Sequence, residues 1–196
     1  MANITIDQIK KLKELSGVGL TDAKNALVEA DGDFDKALDA MRKKGLTKAE
    51  KRGDRETREG LVDSYVHDGR IAAIVEVNCE TSFVAKTDEF KTLAHQLAMQ
   101  VASMNPMFVS EEDIPADVKA AKMKELEANF KGPEKMKDQI LGGQFKKAFA
   151  DKVLLSQPYI LDDTKTVEQF IKEAIAKTGE NITVRQFKRI ELGVTE

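Results

Sequence analysis

Apolar residues recur at helical spacing in three short stretches at the start of the chain. Each stretch follows a residue that can cap a helix: Thr5, which pairs with Gln8 as a capping box, then Thr21, and then Asp33. The apolar positions of the three stretches are Ile9, Leu12 and Leu15; Ala23, Ala26, Leu27 and Ala30; and Phe34, Ala37, Leu38 and Met41. The pattern predicts a compact three-helix bundle, a kind of module that binds partners more often than it catalyses reactions.

The third predicted helix ends at Gly45, and the sequence between residues 47 and 59 is almost free of apolar residues. Charged side chains of alternating sign fill that stretch. Such a pattern is typical of a solvated linker or a helical extension, and a surface that faces a partner is the alternative. We therefore expect a helical module over residues 1–46, a charged linker over residues 47–59 and a core over residues 60–196.

Within the predicted core, the apolar period changes from 3.6 to 2. Residues 61–66 and 71–79 flank Asp68-Gly69, a turn signal for a β-hairpin. Along the second strand the alternate residues from Ile71 to Cys79 share one face, so Cys79 is predicted to be buried and unreactive. A last strand is predicted over residues 181–192, where a shift in apolar phase indicates a β-bulge or burial on both faces.

Further helices are predicted between these strands. Thr87 opens one with a regular apolar stripe, and Thr166 with Gln169 forms a capping box for another. A weaker helical pattern covers residues 115–130, and after a break at Gly132-Pro133 another runs toward residue 155, with an interruption or bend at Gly142-Gly143. The order predicts an α+β fold, in which the amino-terminal bundle precedes a three-stranded antiparallel sheet packed by helices.

Composition excludes several classes of function. The 196 residues carry a net charge of −3, so there is no overall basic field and we expect no direct binding of nucleic acid. No apolar run approaches the roughly 20 residues that span a bilayer, and the first residues show no signal-peptide core, so we expect a cytoplasmic protein without a membrane contact. One cysteine cannot form an internal disulfide or a multi-cysteine zinc site.

Catalytic constellations are not evident either. The two histidines, His67 and His95, do not pair convincingly with Cys79, and no phosphate-binding glycine motif follows a strand. The acidic loop at residues 111–113 has no partner acid at a readable spacing. We therefore expect no enzyme activity, no catalytic residue, no cofactor and no metal site.

Two apolar surfaces remain as candidates for function. The loop at residues 16–20 presents Val18 and Leu20 around Gly19, and for Leu20 a contact within the bundle and a contact with a partner both stay open. The connection at residues 80–86 places Phe83 between a strand and a helix. Because connections run over the surface, this aromatic side chain is either folded back into the core or held out for another molecule, and we expect the second.

Three stretches of this chain resemble the elongation factor Ts family, over essentially the whole length. SGVGLTD at residues 16–22, with the helix behind it, is similar to the Thr-Gly-Ala-Gly-Met-Met-Asp loop of the family's ubiquitin-associated-like module. VNCETSFVAK at residues 77–86 resembles the strand end and Thr-Asp-Phe-Val motif, and is the most specific of the three. GENI at residues 179–182, with RIELG at 189–193, resembles the closing segment. Ser82 replaces the family's aspartate, and Leu20-Thr21 replaces paired methionines.

The resemblance implies a guanine-nucleotide exchange factor that binds elongation factor Tu, both GDP-bound and nucleotide-free, during translation elongation. The implied exchange motif, which inserts near the magnesium site of the partner, is Thr81, Ser82, Phe83 and Val84. The implied contacts of the amino-terminal loop with the partner's GTP-binding domain are Val18, Gly19 and Leu20.

The resemblance also bears on assembly. Longer family members contain two related core halves, whereas this chain has room for one, so it resembles the short form and is expected to be a homodimer. The main alternative is an adaptor whose helical bundle binds another protein while the core dimerizes without exchange activity. A thiol-dependent enzyme using Cys79 is a more distant alternative, because it needs an accessible, activated thiolate.

Overall fold

The computed structural model describes residues 4–16 and 19–194. Its α-helices are α1 (Ile6–Ser16), α2 (Leu20–Glu29), α3 (Phe34–Glu50), α4 (Ser82–Ala85), α5 (Asp88–Met104), α6 (Ala116–Ala128), α7 (Lys137–Phe149) and α8 (Val167–Thr178). Its strands are β1 (Glu59–His67), β2 (Ile71–Cys79), β3 (Pro158–Tyr159), β4 (Asp162–Thr166) and β5 (Ile182–Glu191). Single 3-10 turns lie at Glu134–Met136 and Leu154–Ser156. Within the described ranges, none of the helices combines the length and apolar character needed to span a membrane.

The first three helices pack around a small core of their own, as the apolar pattern predicted. Its buried members are Leu12, Ala23, Ala26, Leu27, Ala37 and Met41. The capping box of α1 is present, since the Thr5 N–H donates to Gln8 Oε1 at 2.9 Å and the Gln8 N–H donates to Thr5 Oγ1 at 3.2 Å. Asp33 caps α3 by accepting the Lys36 N–H at 3.1 Å. These caps and the three-helix bundle are confirmed.

Two predicted helix limits in this bundle are wrong. Helix α2 begins at Leu20 after Gly19, so Thr21 lies inside the first turn and does not cap it. Helix α3 runs through Gly45 to Glu50. A Cβ at position 45 would lie 3.1 Å from the Ala176 Cβ, so the glycine permits close packing of α3 on α8 instead of ending the helix.

The hairpin and the bulge are both confirmed. Strands β1, β2 and β5 form an antiparallel sheet in that order. At the hairpin turn Asp68 (φ 49°) and Gly69 (φ 66°) both adopt the left-handed conformation that such turns require. Between β2 and β5 the register shifts after the pair Glu76–Gln186, because Val77 then faces Val184 and leaves Arg185 as the extra residue.

Helices α5 and α8 cover the inner face of the sheet, where Cys79 is fully buried as predicted. Thr87 caps α5 by accepting the Phe90 N–H at 3.2 Å, and Thr166 with Gln169 forms the predicted capping box of α8. All six residues of the predicted α5 stripe are buried: Phe90, Leu93, Ala94, Leu97, Ala98 and Val101. The α+β architecture is therefore confirmed.

The central region differs from its prediction in two ways. Helix α7 continues through Gly142-Gly143 and ends at Phe149, so the predicted interruption and the extension toward residue 155 are wrong. The β3–β4 pair was not predicted, because β3 has only two residues and β4 contains no apolar residue that could show an alternating pattern. Buried Gln100 holds this pair to α5 by accepting the Ile160 N–H at 2.9 Å and donating to the Pro158 carbonyl at 3.1 Å.

The charged stretch after α3 is hydrogen-bonded to the core and does not extend freely into solvent. The Asn181 side-chain amide donates to the carbonyls of Gly53 (3.1 Å) and Arg55 (2.8 Å). The Arg52 guanidinium donates to the Ile175 carbonyl in the last turn of α8 at 3.3 Å. The first boundary of the predicted domain division falls within α3, and the division itself stays a prediction.

Candidate functional site

A sharp corner, formed by residues 80–87, joins the sheet to α5 and carries one outward-facing aromatic side chain. Strand β2 ends at Cys79, α4 makes a single turn, and α5 begins at Asp88. Phe83 on α4 is 84% exposed, whereas Ala85 is buried and Val84 packs partly against the main core. A bulky aromatic exposed to this degree is unusual for a side chain that serves only the fold.

Side-chain caps fix this corner at both ends. Thr81 caps α4, with its hydroxyl 3.5 Å from the Val84 N–H. At the other end the Thr87 hydroxyl donates to the Val84 carbonyl at 2.8 Å, and the Thr87 N–H donates to the same oxygen at 3.0 Å. Ser82, the first residue of α4, is half-buried. The backbone on either side of Phe83 is therefore held by local hydrogen bonds.

Two residues that follow α8 hold the same corner from across the sheet. Both carboxylate oxygens of Glu180 accept from Thr81, one from its N–H at 3.0 Å and the other from its hydroxyl at 2.6 Å. The carboxylate of Glu80, which directly follows β2, in turn accepts the Asn181 N–H at 2.7 Å. Arg55 lies 3.4 Å from the Glu80 carboxylate, so the charged stretch after α3 joins the network.

Glu180 and Asn181 lie in the GENI stretch, but the sequence alone indicates no role for either residue. Antiparallel pairing of the last strand with β2 could have located them. Cys79 at the end of β2 faces Ile182 at the start of β5, so the residues just before β5 lie beside the residues just after β2. A helix stop at Gly179 (φ 80°) turns the chain into that position.

The single cysteine lies beneath the corner and is not set up as a nucleophile. Burial raises the pKa of the Cys79 thiol, and the negative charge of Glu180 raises it further. The thiol also lies 3.2 Å from the Thr81 carbonyl, to which it can donate. A buried thiol that stays protonated at neutral pH opposes the thiol-enzyme alternative.

The second predicted surface lies at the start of α2, where no side chain caps the helix. Leu20 is 51% exposed and lies outside the buried core of the bundle. Gly19 precedes it with extended backbone and has no side chain that could cap the helix. Val18, the third residue predicted here, lies outside the described residues.

Both histidines lie at the surface. His95 Nδ1 is 3.4 Å from the Asp63 carboxylate, and His67 Nδ1 is 3.0 Å from the Tyr65 hydroxyl. Over residues 4–16 and 19–194, the structure brings together no group of three or more histidine, cysteine or acidic side chains suited to a metal ion.

The outer face of the sheet, turned away from α5 and α8, is a third apolar surface. Its exposed apolar side chains come from all three strands: Val62, Val66, Ile74 and Ile190. Residues 66, 72 and 190 are neighbours in the strand register, so the apolar side chains of the three strands meet at the hairpin end. A sheet face of this kind is usually covered by another layer.

Comparison with known proteins places this geometry in a family context. Residues 50–194 match the model of a family described as Elongation factor TS. Proteins named Elongation factor Ts from Thermotoga sp. (strain RQ2) and Thermotoga maritima are each 50% identical over 192 residues, which cover 97% of this chain and 96% of theirs. A protein of the same name from Moorella thermoacetica is 47% identical over 194 residues, 97% of this chain and 96% of its own.

Proposed function

This chain belongs to the elongation factor Ts family, and from that membership we propose that it is a guanine-nucleotide exchange factor that binds elongation factor Tu loaded with GDP and promotes GDP release. The observation that carries the proposal is the Phe83 corner, because it presents the aromatic of the family's motif on a firmly held turn. Translation elongation is a cytoplasmic process, so we expect the chain to act there.

Exchange requires that the chain bind the nucleotide-free partner more tightly than the GDP-bound partner. By thermodynamic reciprocity, the factor by which the chain weakens GDP binding equals the factor by which GDP weakens binding of the chain. A thousandfold weakening corresponds to about 4 kcal/mol of differential contact energy. No covalent bond is made or broken, so the proposed activity is not enzymatic and requires no cofactor or metal ion held by this chain.

We assign the displacing contact to Phe83, within the motif at residues 81–84. A GTP-binding protein holds GDP through backbone groups around the phosphates and a bound magnesium ion. Insertion of the Phe83 ring near that magnesium site would disturb the site without attacking the nucleotide. Since the corner is fixed before binding, little conformational entropy is lost when the ring is buried.

Docking is assigned to the amino-terminal turn. Leu20 is exposed at the first position of α2, next to Gly19, and Val18 precedes them in sequence. An exposed leucine on a helix turn contributes to binding mainly by burial of its own apolar surface. The turn is therefore proposed to grip the GTP-binding domain while the corner acts on the magnesium site.

We further propose that two copies associate through the outer face of the sheet. Val62, Val66, Ile74 and Ile190 are exposed on that face, and β1 and β5 are the edges of the sheet. Apolar sheet faces and open edges are commonly covered in symmetric dimers. Light scattering at micromolar concentration should show twice the mass of one chain, and the mass of a single chain would contradict the dimer.

Stopped-flow fluorescence tests the proposed activity. Elongation factor Tu loaded with fluorescent GDP is mixed with excess unlabelled GDP, with and without this chain. We expect release to accelerate with chain concentration and to saturate. An unchanged release rate, at concentrations where the two proteins form a complex, would favour the adaptor alternative.

A further inference from the structure

Thr81 has its polar groups satisfied within the chain. Its N–H and hydroxyl both donate to Glu180, at 3.0 and 2.6 Å. Its carbonyl accepts the Ala85 N–H at 3.2 Å and lies at the same distance from the Cys79 sulfur. A residue bonded in this way has little capacity left for polar contacts with a partner.

Helix α4 needs such support because it has one turn. Isolated helices of this length are unstable in water, so contacts with the rest of the fold must hold it. The Phe83 side chain is 84% exposed and contributes little packing. Val84 and Ala85 anchor the later part of α4 to the core, while Glu180 anchors its first part through Thr81.

We propose that Glu180 is a positioning residue for nucleotide exchange, which holds Thr81 in place and thereby fixes the direction in which Phe83 points. Thr81 then acts as the link between Glu180 and Phe83 and not as a contact with the partner. This inference rests on the proposed function. It gives a role in nucleotide exchange to the segment between α8 and β5, which lies outside the family motif at residues 81–84.

Fluorescence of a tryptophan introduced at position 83 tests the positioning directly. The chain has no tryptophan of its own, so Phe83→Trp supplies a single probe at the position of interest. In that background Glu180→Ala should lower the steady-state anisotropy of the introduced indole, and Glu127→Ala, at an exposed glutamate on α6, should leave it unchanged. Equal anisotropy with and without Glu180 would overturn the proposal.

A double-mutant cycle tests whether Glu180 acts through Phe83. Glu180→Ala should slow stimulated GDP release by about three- to tenfold, the range expected for an exposed charge-assisted pair of hydrogen bonds. In the Phe83→Ala background the same change should add no further loss. Additive losses would overturn the proposal, because they would mean that Glu180 contacts the partner or acts elsewhere.

Variants at Thr81 guard against a trivial loss of folding. Thr81→Ser keeps the hydroxyl and should retain the release rate, whereas Thr81→Val removes it and should slow release at least as much as Glu180→Ala, because it also removes the cap of α4. Circular dichroism melting confirms that each variant is folded. Similar rates for Thr81→Ser and Thr81→Val would overturn the proposal. If the unmutated chain fails to accelerate release, the proposed function fails, and the anisotropy of the Phe83→Trp variant still decides whether Glu180 fixes the aromatic.

Discussion

The Phe83 corner and the Leu20 turn both expose an apolar side chain at the start of a helix, yet the chain secures them in different ways. At the corner, Glu180 and Asn181 reach across from a segment about a hundred residues further along the sequence. At the Leu20 turn the helix opens with local backbone bonds, such as the Ala23 N–H to the Gly19 carbonyl at 2.9 Å. Exposure alone therefore does not distinguish the two roles. Support from a distant segment suits a group that must be inserted, and the start of α2, where the first turn is held by contacts within the bundle such as Asp22 with Lys44 at 3.3 Å, suits docking.

Helix α3 makes the two regions parts of one connected structure. The bundle has its own buried core, but Ala49 near the end of α3 belongs to the main core. Close packing at Gly45 against Ala176 and the bond from Arg52 to the end of α8 tie the bundle to the helix that leads to Glu180. Docking by one region is therefore expected to help position the other.

The largest expected effect is at the corner. Phe83→Ala should slow stimulated GDP release by about 30-fold to a thousandfold, because a buried aromatic anchor typically contributes about 2 to 4 kcal/mol. Stopped-flow release measures the effect, and circular dichroism with light scattering should show an unchanged fold and assembly. Met107→Ala is the control, since Met107 is also well exposed but lies outside the corner. If both changes slowed GDP release equally, the corner would be no more important for release than another exposed apolar residue.

A smaller effect is expected at the turn. Leu20→Asp should weaken the complex with elongation factor Tu about tenfold without unfolding the core, because it removes local apolar burial. Val28→Asp is a matched control on the same helix, with 53% exposure against 51% for Leu20. Isothermal titration calorimetry measures both affinities. Global unfolding of Leu20→Asp would show that Leu20 supports the bundle core instead.

The free energy of unfolding should reflect the side-chain cap at Thr87 and the lack of one at Gly19. Thr87→Ala should lower the free energy of unfolding by about 1 kcal/mol, since it removes the cap of α5 and a bond to the Val84 carbonyl. Gly19→Ser should raise it by a few tenths of a kcal/mol, as serine adds a cap where a Cβ meets nothing within 4 Å. Urea denaturation measures both, and a loss on Gly19→Ser would show that the turn does not tolerate a capped start.

The smallest effect is expected at Ser82. Ser82→Asp restores the residue found in the family motif, at the start of a helix where a negative charge is tolerated. Stimulated release should stay equal or rise by no more than about fivefold. A clear fall would show that the corner in this chain is adapted to serine, with Glu180 the nearby negative charge to examine first.

How far the sequence predicts this structure depends on how local the determining contacts are. Caps formed within one turn, at Thr5, Asp33, Thr87 and Thr166, could be predicted, as could the Asp68-Gly69 turn and the buried face of β2. Gly45 could not, because its role depends on Ala176, which is distant in sequence. The corner's exposed aromatic was predictable from its place between a strand and a helix, whereas the Glu180 contact required the pairing of β2 with β5.

The central claim, that the corner acts on release and the turn acts on docking, is tested most directly by a concentration series. Stimulated GDP release is measured by stopped-flow over a wide range of concentrations for the unmutated chain, Phe83→Ala and Leu20→Asp. We predict that Phe83→Ala lowers the maximal release rate, while Leu20→Asp raises the half-saturating concentration and leaves the maximal rate unchanged. The claim would be contradicted if both variants changed the same parameter, or if Phe83→Ala reached the maximal rate of the unmutated chain.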